Sequence, residues 1–260
     1  MSGILLAVDI GNTTLECGLF DEDKLITTWR LSSTVDRTPD ECWQSTVFFC
    51  REAGIDPAAL SAMAIASVVP QQTRSFFSMA RKRFDPKPLS ISIETCPFIA
   101  VRYTIPRQIG ADRLCNAYAG FHYYRGPLII VDFGTAVTLD VVDNKGAYMG
   151  GIILPGPRAA AGILHRRTAQ LPQVSLKFTS SIIGVNTEHA IRSGITWGII
   201  DMVDGLIDRI RKELGENAEA IATGGLAKPF AMRSRNFGKL HPDLVLEGVR
   251  LIYNEVKRRK

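Results

Sequence analysis

The chain carries one local pattern twice, and this limits what it can fold into more than any other feature. The first copy runs Leu6-Ala-Val-Asp9-Ile10-Gly11-Asn12-Thr13-Thr14-Leu15-Glu16-Cys17. The second runs Ile129-Ile-Val-Asp132-Phe133-Gly134-Thr135-Ala136-Val137-Thr138-Leu139-Asp140. Each is an apolar strand that ends in Asp-x-Gly, then a turn containing Thr, then a second strand. Glycine reaches backbone conformations closed to other residues and has no Cβ, so such a turn can aim backbone N–H groups at a phosphate. An Asp at the end of the strand can hold a metal ion beside it. For one copy alone, a plain hairpin turn is the better reading, because Gly-Asn is good turn chemistry. The second copy reverses that preference and points to a nucleotide clamped between two related halves.

The rest of the pattern fits a duplication. Strands are expected at 3–9, 15–20, 25–31, 62–68 and 89–93 in the first half. In the second they are expected at 127–133, 136–143, 147–154 and 219–223. Thr38-Pro39-Asp40-Glu41 reads as a helix start with a capping box, and Gly54 as its terminator. A helix follows Pro70 to about Phe84. Another opens at Gly110, where Leu114, Ala117, Tyr118 and Phe121 share one face. A short helix is expected over 158–167. Asn186 or Thr187 caps a long one to Leu214, and a last helix starts near Pro242. Both halves then run β-β-β-helix-β-helix, with a boundary at Tyr124–Pro127. The longest irregular stretch, 170–182, is a candidate substrate loop.

Composition excludes several classes. At 260 residues the chain is long enough for one large domain or two modest ones. Formal charge is +5, but four of the basic residues are the last four, Lys257 to Lys260. That tail reads as a solvated end rather than a nucleic-acid footprint. Arg81-Lys82-Arg83 and His165-Arg166-Arg167 are two further basic clusters that can face a substrate, an exposed helix face being the better reading for the first. The five cysteines are odd in number and match no zinc spacing, which points to a reducing compartment. The N-terminal apolar run stops at Asp9, so no signal peptide or membrane span is expected, and the protein reads as cytoplasmic. No Gly-Lys-Ser/Thr motif of the P-loop type occurs.

Three further elements carry chemistry. In Gly110-Ala111-Asp112-Arg113 the carboxylate lies in the first turn of a helix, where the macrodipole stabilises it. Capping is the plain role. A catalytic role is favoured by Arg113, which can bind a substrate anion, and by the use of a carboxylate to receive a hydroxyl proton in kinase chemistry. Thr223-Gly224-Gly225 forms a strand-to-helix turn that can approach a nucleotide. Asn186-Thr187-Glu188 opens the long helix, with Thr187 a candidate substrate contact.

These residues, in this order, resemble the type III pantothenate kinases of the acetate and sugar kinase/Hsp70/actin superfamily. The resemblance rests on Asp9-Ile-Gly-Asn-Thr13, Gly110-Ala-Asp-Arg113, Asp132-Phe-Gly-Thr135, Gly150-Gly151 with Pro155-Gly156, Thr168-Ala-Gln-Leu-Pro172, Gly184-Val-Asn-Thr187 and Thr223-Gly-Gly-Leu-Ala227. It implies an α/β fold of two actin-like (ribonuclease H-like) domains. Each is a mixed sheet flanked by helices, with a cleft between them, over residues 1–124 and 125–260. It implies ATP-dependent phosphorylation of pantothenate to 4′-phosphopantothenate, the first step of coenzyme A biosynthesis. By resemblance, Asp112 accepts the hydroxyl proton. Asp9, Ile10, Gly11, Asn12, Thr13, Thr14, Leu15 and Glu16, with Gly134, Thr135, Gly224 and Gly225, hold ATP. Asp9 serves Mg²⁺, and Asp132 serves a monovalent cation, K⁺ or NH₄⁺. Tyr103, Gly110, Ala111, Asp112, Arg113 and Thr187 line the pantothenate pocket. The family is a homodimer whose second half forms much of the interface, with no nucleic-acid or membrane partner.

Two departures stand out. Some members carry a basic residue near the position of Glu16, where this chain is acidic. The segment Pro157-Arg-Ala-Ala-Ala-Gly162 often carries Ser in relatives. Two other functions compete: a nucleotide-binding regulatory or accessory protein on the same fold, and another small-molecule kinase of the superfamily. The first would be favoured by loss of Asp9, Asp112 or Asp132, and all three are present. The second would lack Gly-Ala-Asp-Arg with Asn-Thr. The kinase reading expects the three aspartates to converge on the cleft.

Overall fold

The computed structural model describes residues 3–85, 87–168 and 171–259. The chain divides into two compact units, one of residues up to His122 together with those from Leu244, the other of Tyr123–Asp243.

The first unit is built on β1 (Ile4–Ile10), β2 (Thr14–Asp21), β3 (Lys24–Ser32), β4 (Leu60–Ser67) and β5 (Leu89–Ser90), in sheet order β3-β2-β1-β4-β5. β1 to β3 pair antiparallel, while β4 runs parallel to β1 and β5 parallel to β4. Successive side chains in a strand face opposite ways, so each strand divides its residues between two faces. Ile4, Leu6, Val8 and Ile10 of β1 join Leu15, Cys17 and Leu19 of β2 on one face. There they meet Cys42 and Cys50 of α1 (Pro39–Glu52) and Phe76, Met79 and Ala80 of α2 (Pro70–Arg81). α1 begins as its sequence requires: Thr38 Oγ1 accepts the Glu41 N–H at 3.3 Å, and the Glu41 carboxylate accepts the Thr38 N–H at 2.8 Å.

The other face is lined by small residues, Ala7, Gly18, Ala62, Ala64 and Ala66, and α7 (Leu244–Arg259) packs against β1, β2 and β4. Leu246 Cδ1 lies 3.1 Å from the point where a Gly18 side chain would begin. α7 also meets α3 (Ala111–Tyr124) closely: a side chain on Gly248 would overlap the Cys115 backbone. Buried Arg250 anchors the helix, pairing with Asp23 and, at 2.8 Å, with Glu247.

The second unit repeats the plan. β6 (Leu128–Phe133), β7 (Ala136–Val142), β8 (Tyr148–Pro155), β9 (Glu219–Thr223) and β10 (Phe237–Leu240) lie in the order β10-β9-β6-β7-β8. With β6 matched to β1, the order and every strand direction are those of the first sheet. Its core joins Ile129, Val131 and Phe133 to the stripe Ile191, Ile195, Ile199, Val203 and Ile207 of α5 (Thr187–Leu214). α4 (Pro157–Arg167) and α6 (Ala227–Ala231) complete the unit.

Several expectations are corrected. Residues 244–259 pack with the first unit, so a second domain running from 125 to the C-terminus is not what forms. An amphipathic helix specifies an apolar face but not the surface that receives it. β10 was not expected. β5 stops at Ser90, because the following backbone is taken up by a turn in which Thr95 Oγ1 bonds the Ser90 carbonyl at 2.7 Å and accepts the Ser92 N–H at 2.9 Å. Ala169 and Gln170, within the Thr168–Pro172 motif and the 170–182 loop, lie outside the described residues, as does Lys260.

Candidate active site

The first turn joins Ile10 to Thr14. The Gly11 N–H closes it onto the Thr14 carbonyl at 3.0 Å, and the Ser33 N–H, just past β3, holds the Thr13 carbonyl at 3.0 Å. Asn12 and Thr13 are exposed, while Gly11 and Thr14 are half-buried. Ile10 and Leu15 are fully buried in the core, so only their backbones are available to a ligand. Asp9 is half-buried on the opposite face, the side of α7. Glu16 shares that face and sits across from Arg30 in the β2–β3 register, with Arg30 Nη2 2.6 Å from Glu16 Oε1. The acidic charge that departs from the family pattern therefore has a cation beside it.

The second turn is one residue shorter. Pairing resumes at Phe133↔Val137, compared with Ile10↔Leu15 in the first. The Gly134 N–H closes onto the Ala136 carbonyl at 3.0 Å, leaving Thr135 exposed. Asp132 faces away from α5, as Asp9 faces away from α1 and α2. The Thr223-Gly224-Gly225 turn packs against this strand end, with the Leu226 N–H on the Phe133 carbonyl at 3.1 Å. Gly224 has φ +93°, and its missing side chain leaves the space that Asp132 Oδ1 occupies. Gly225 is exposed.

Asp112 stands in the first turn of α3, behind a 3₁₀ turn at Pro106–Gln108. Its Oδ1 accepts the Arg113 N–H at 2.8 Å. Burial raises its pKa above the ordinary aspartate value, outweighing the lowering by Arg113. One turn along, burial drives the Cys115 thiol well up, and the Asp9 and Asp112 carboxylates add to the shift. Both carboxylates therefore act on a single point of the first unit. Ala111 and Arg113 are buried and Tyr103 half-buried in the same unit. Thr187 is the exposed first residue of α5, behind Asn186, whose side chain accepts the His189 N–H at 2.8 Å. Arg30 escaped the sequence reading, since its place beside Glu16 depends on how two strands register.

Residues 5–209 match the profile of the type III pantothenate kinase family. The chain belongs to the type III pantothenate kinases. Relatives of that name include proteins from Thermomicrobium roseum, 41% identical over 98% of both chains, and Dehalococcoides mccartyi, 40% identical over 97% of this chain and 98% of the relative. A Baf family protein from Campylobacter jejuni superposes with TM-score 0.59 at 20% identity, covering 97% of this chain and 99% of that one. The two matched sheets are duplicated actin-like domains.

A type III pantothenate kinase phosphorylates pantothenate at the expense of ATP, the entry step to coenzyme A, and uses a divalent metal. Among the described residues no cluster of three or more His, Cys, Asp or Glu is placed to hold a metal. Mg²⁺ needs only one or two protein carboxylates, the rest of its shell coming from water and the substrate's own phosphates. Among the described residues, no helix is long and apolar enough to cross a membrane.

Proposed function

We propose that Asp112 is the base of the pantothenate kinase reaction. The observation that carries this is its setting. It is a half-buried carboxylate at a helix start, with one oxygen fixed by the Arg113 N–H and its pKa raised toward the working range of a proton acceptor. The proton of the primary hydroxyl passes to Asp112 as the hydroxyl oxygen bonds to the γ-phosphorus. The bond from that phosphorus to the bridging oxygen of ADP breaks, leaving 4′-phosphopantothenate and ADP. Arg113, Tyr103, Gly110, Ala111 and Thr187 hold the acceptor. The turn from Asp9 to Glu16, with Gly134, Thr135, Gly224 and Gly225, holds the nucleotide, Ile10 and Leu15 through their backbones alone. Asp9 is the protein's ligand for the divalent ion, which when bound neutralises phosphate charge.

Asp132 binds a monovalent cation, K⁺ or NH₄⁺. The carboxylate itself supports this: it is a hard oxygen donor at the end of β6, with Oδ1 in the space left open by Gly224. The enzyme acts as a homodimer in the cytoplasm. Exposed Ile163, Leu164, Ile182, Ile183 and Val185 of the second unit support the first statement. The five free, buried cysteines support the second.

The test is turnover of pantothenate with ATP and Mg²⁺ in potassium or sodium salt, for the wild type, Asp112→Asn and Asp132→Asn. Potassium-dependent turnover that Asp132→Asn makes indifferent to the salt is the expected result. Equal rates of the wild type in both salts would remove the cation role, and normal turnover of Asp112→Asn would remove the base.

A further inference from the structure

We infer that Gly110 is a positioning residue for Asp112, acting by leaving empty the space its carboxylate fills. The inference rests on the reading of Asp112 as the base. A Cβ built on Gly110 would overlap Asp112 Oδ1, the oxygen that receives the Arg113 N–H. Its other near neighbours, Asp112 Cγ at 3.5 Å and Val68 Cγ1 at 3.6 Å, are at ordinary contact distance. Gly110 is also absent from the glycines of positive φ, so its backbone suits an alanine. Its lack of a side chain thus answers to no turn, and it spares one group, the Asp112 carboxylate. A methyl there would turn Oδ1 away and break its bond to the Arg113 N–H. The carboxylate would then rotate out of line with the acceptor hydroxyl. Gly224 stands in the same relation to Asp132, but there the Phe133 backbone also crowds the site, at 2.9 and 3.0 Å, and φ is positive. Only at Gly110 can the effect on the carboxylate be separated from the effect on the chain.

The experiment is a double-mutant cycle in Gly110→Ala, Asp112→Asn and the pair, reading kcat and both KM values. Gly110→Ala should lower kcat about 100-fold, the scale of a base displaced by about 1 Å, with KM for ATP unchanged. In the pair the loss should equal that of Asp112→Asn, because the glycine acts through the carboxylate. Three results would overturn the inference: an unchanged kcat, losses that multiply, or a loss confined to KM for pantothenate, which would leave Gly110 a substrate contact alone. Normal turnover in Asp112→Asn would instead remove the base, a separable result. A second cycle reads stability alone. In an Asp112→Ala background the methyl has vacant space, so Gly110→Ala should shift the unfolding midpoint less than in the wild type. Equal shifts would reject the inference even if the single variant were too unstable to assay.

Discussion

The Arg30 guanidinium lies 2.6 Å from the Glu16 carboxylate across neighbouring strands, two residues beyond the end of the first Asp-x-Gly turn. As a partly exposed pair it contributes less than about 1 kcal/mol to stability. On the proposed reading of that turn as the nucleotide's, its larger effect is on the field that an incoming triphosphate meets. Arg30→Ala should leave the unfolding midpoint nearly unchanged and raise KM for ATP about three- to tenfold, the scale of one uncompensated charge near a surface. The penalty should shrink with added salt. An unchanged KM at low salt would place the pair outside the nucleotide's reach.

Asp112→Asn should fold and lose about 10²- to 10⁴-fold in kcat, the usual scale of general-base loss. The wild type should also lose activity on the acid side as Asp112 takes up a proton. Because burial raises its pKa, the acid limb of kcat/KM should lie above the pH at which an ordinary aspartate titrates. A limb at or below that value would contradict the burial argument.

The same shift carries a stability sign. The fold favours protonated Asp112, so its contribution is full below the unfolded pKa and is lost as pH rises through the folded one. At neutral pH the ionised group is held at a cost. Asp112→Asn, inactive, should therefore melt higher than the wild type at pH 7, with the gap closing as pH falls. A lower melting point at pH 7 would show that the Arg113 contacts outweigh burial.

Leu246 is fully buried against the flat patch over Gly18. Leu246→Ala should cost about 2–5 kcal/mol in denaturant unfolding. The loss should fall on the first unit, read through Trp29, in that unit's core cluster, and Trp43, packed against it. A cost below 1 kcal/mol would mean that α7 is dispensable to this sheet.

What the sequence disclosed was what neighbouring residues decide. The capping box of Thr38 and Glu41 spans three residues, and both Asp-x-Gly turns are closed by bonds within four. α1, α5 and β9 accordingly form where their caps and apolar periods place them. Nonlocal facts stayed hidden. The apolar stripe of α7 is plain, yet its docking on Ala7, Gly18 and Ala64 follows only from how small those side chains are once the strands are aligned. Arg30 meets Glu16 only because β3 pairs with β2 in one register. Gly110 reads as an ordinary helix-opening glycine until the Asp112 carboxylate is seen in its place. The fold was thus more legible than the site, because elements obey periodicity and sites obey distances.

The return of α7 to the first sheet sets the order in which the protein can be made. Residues 123–243 form an uninterrupted stretch and can close around their own core as soon as they leave the ribosome. The first unit, though translated earlier, lacks the cover of one sheet face until residues 244–259 emerge. At about 5–20 residues per second, its β1 and β4 wait on the order of ten seconds or more for that helix. The later-made half is therefore the first able to mature, and a ribosome stalled shortly before residue 244 would display an unfinished first unit beside a completed second.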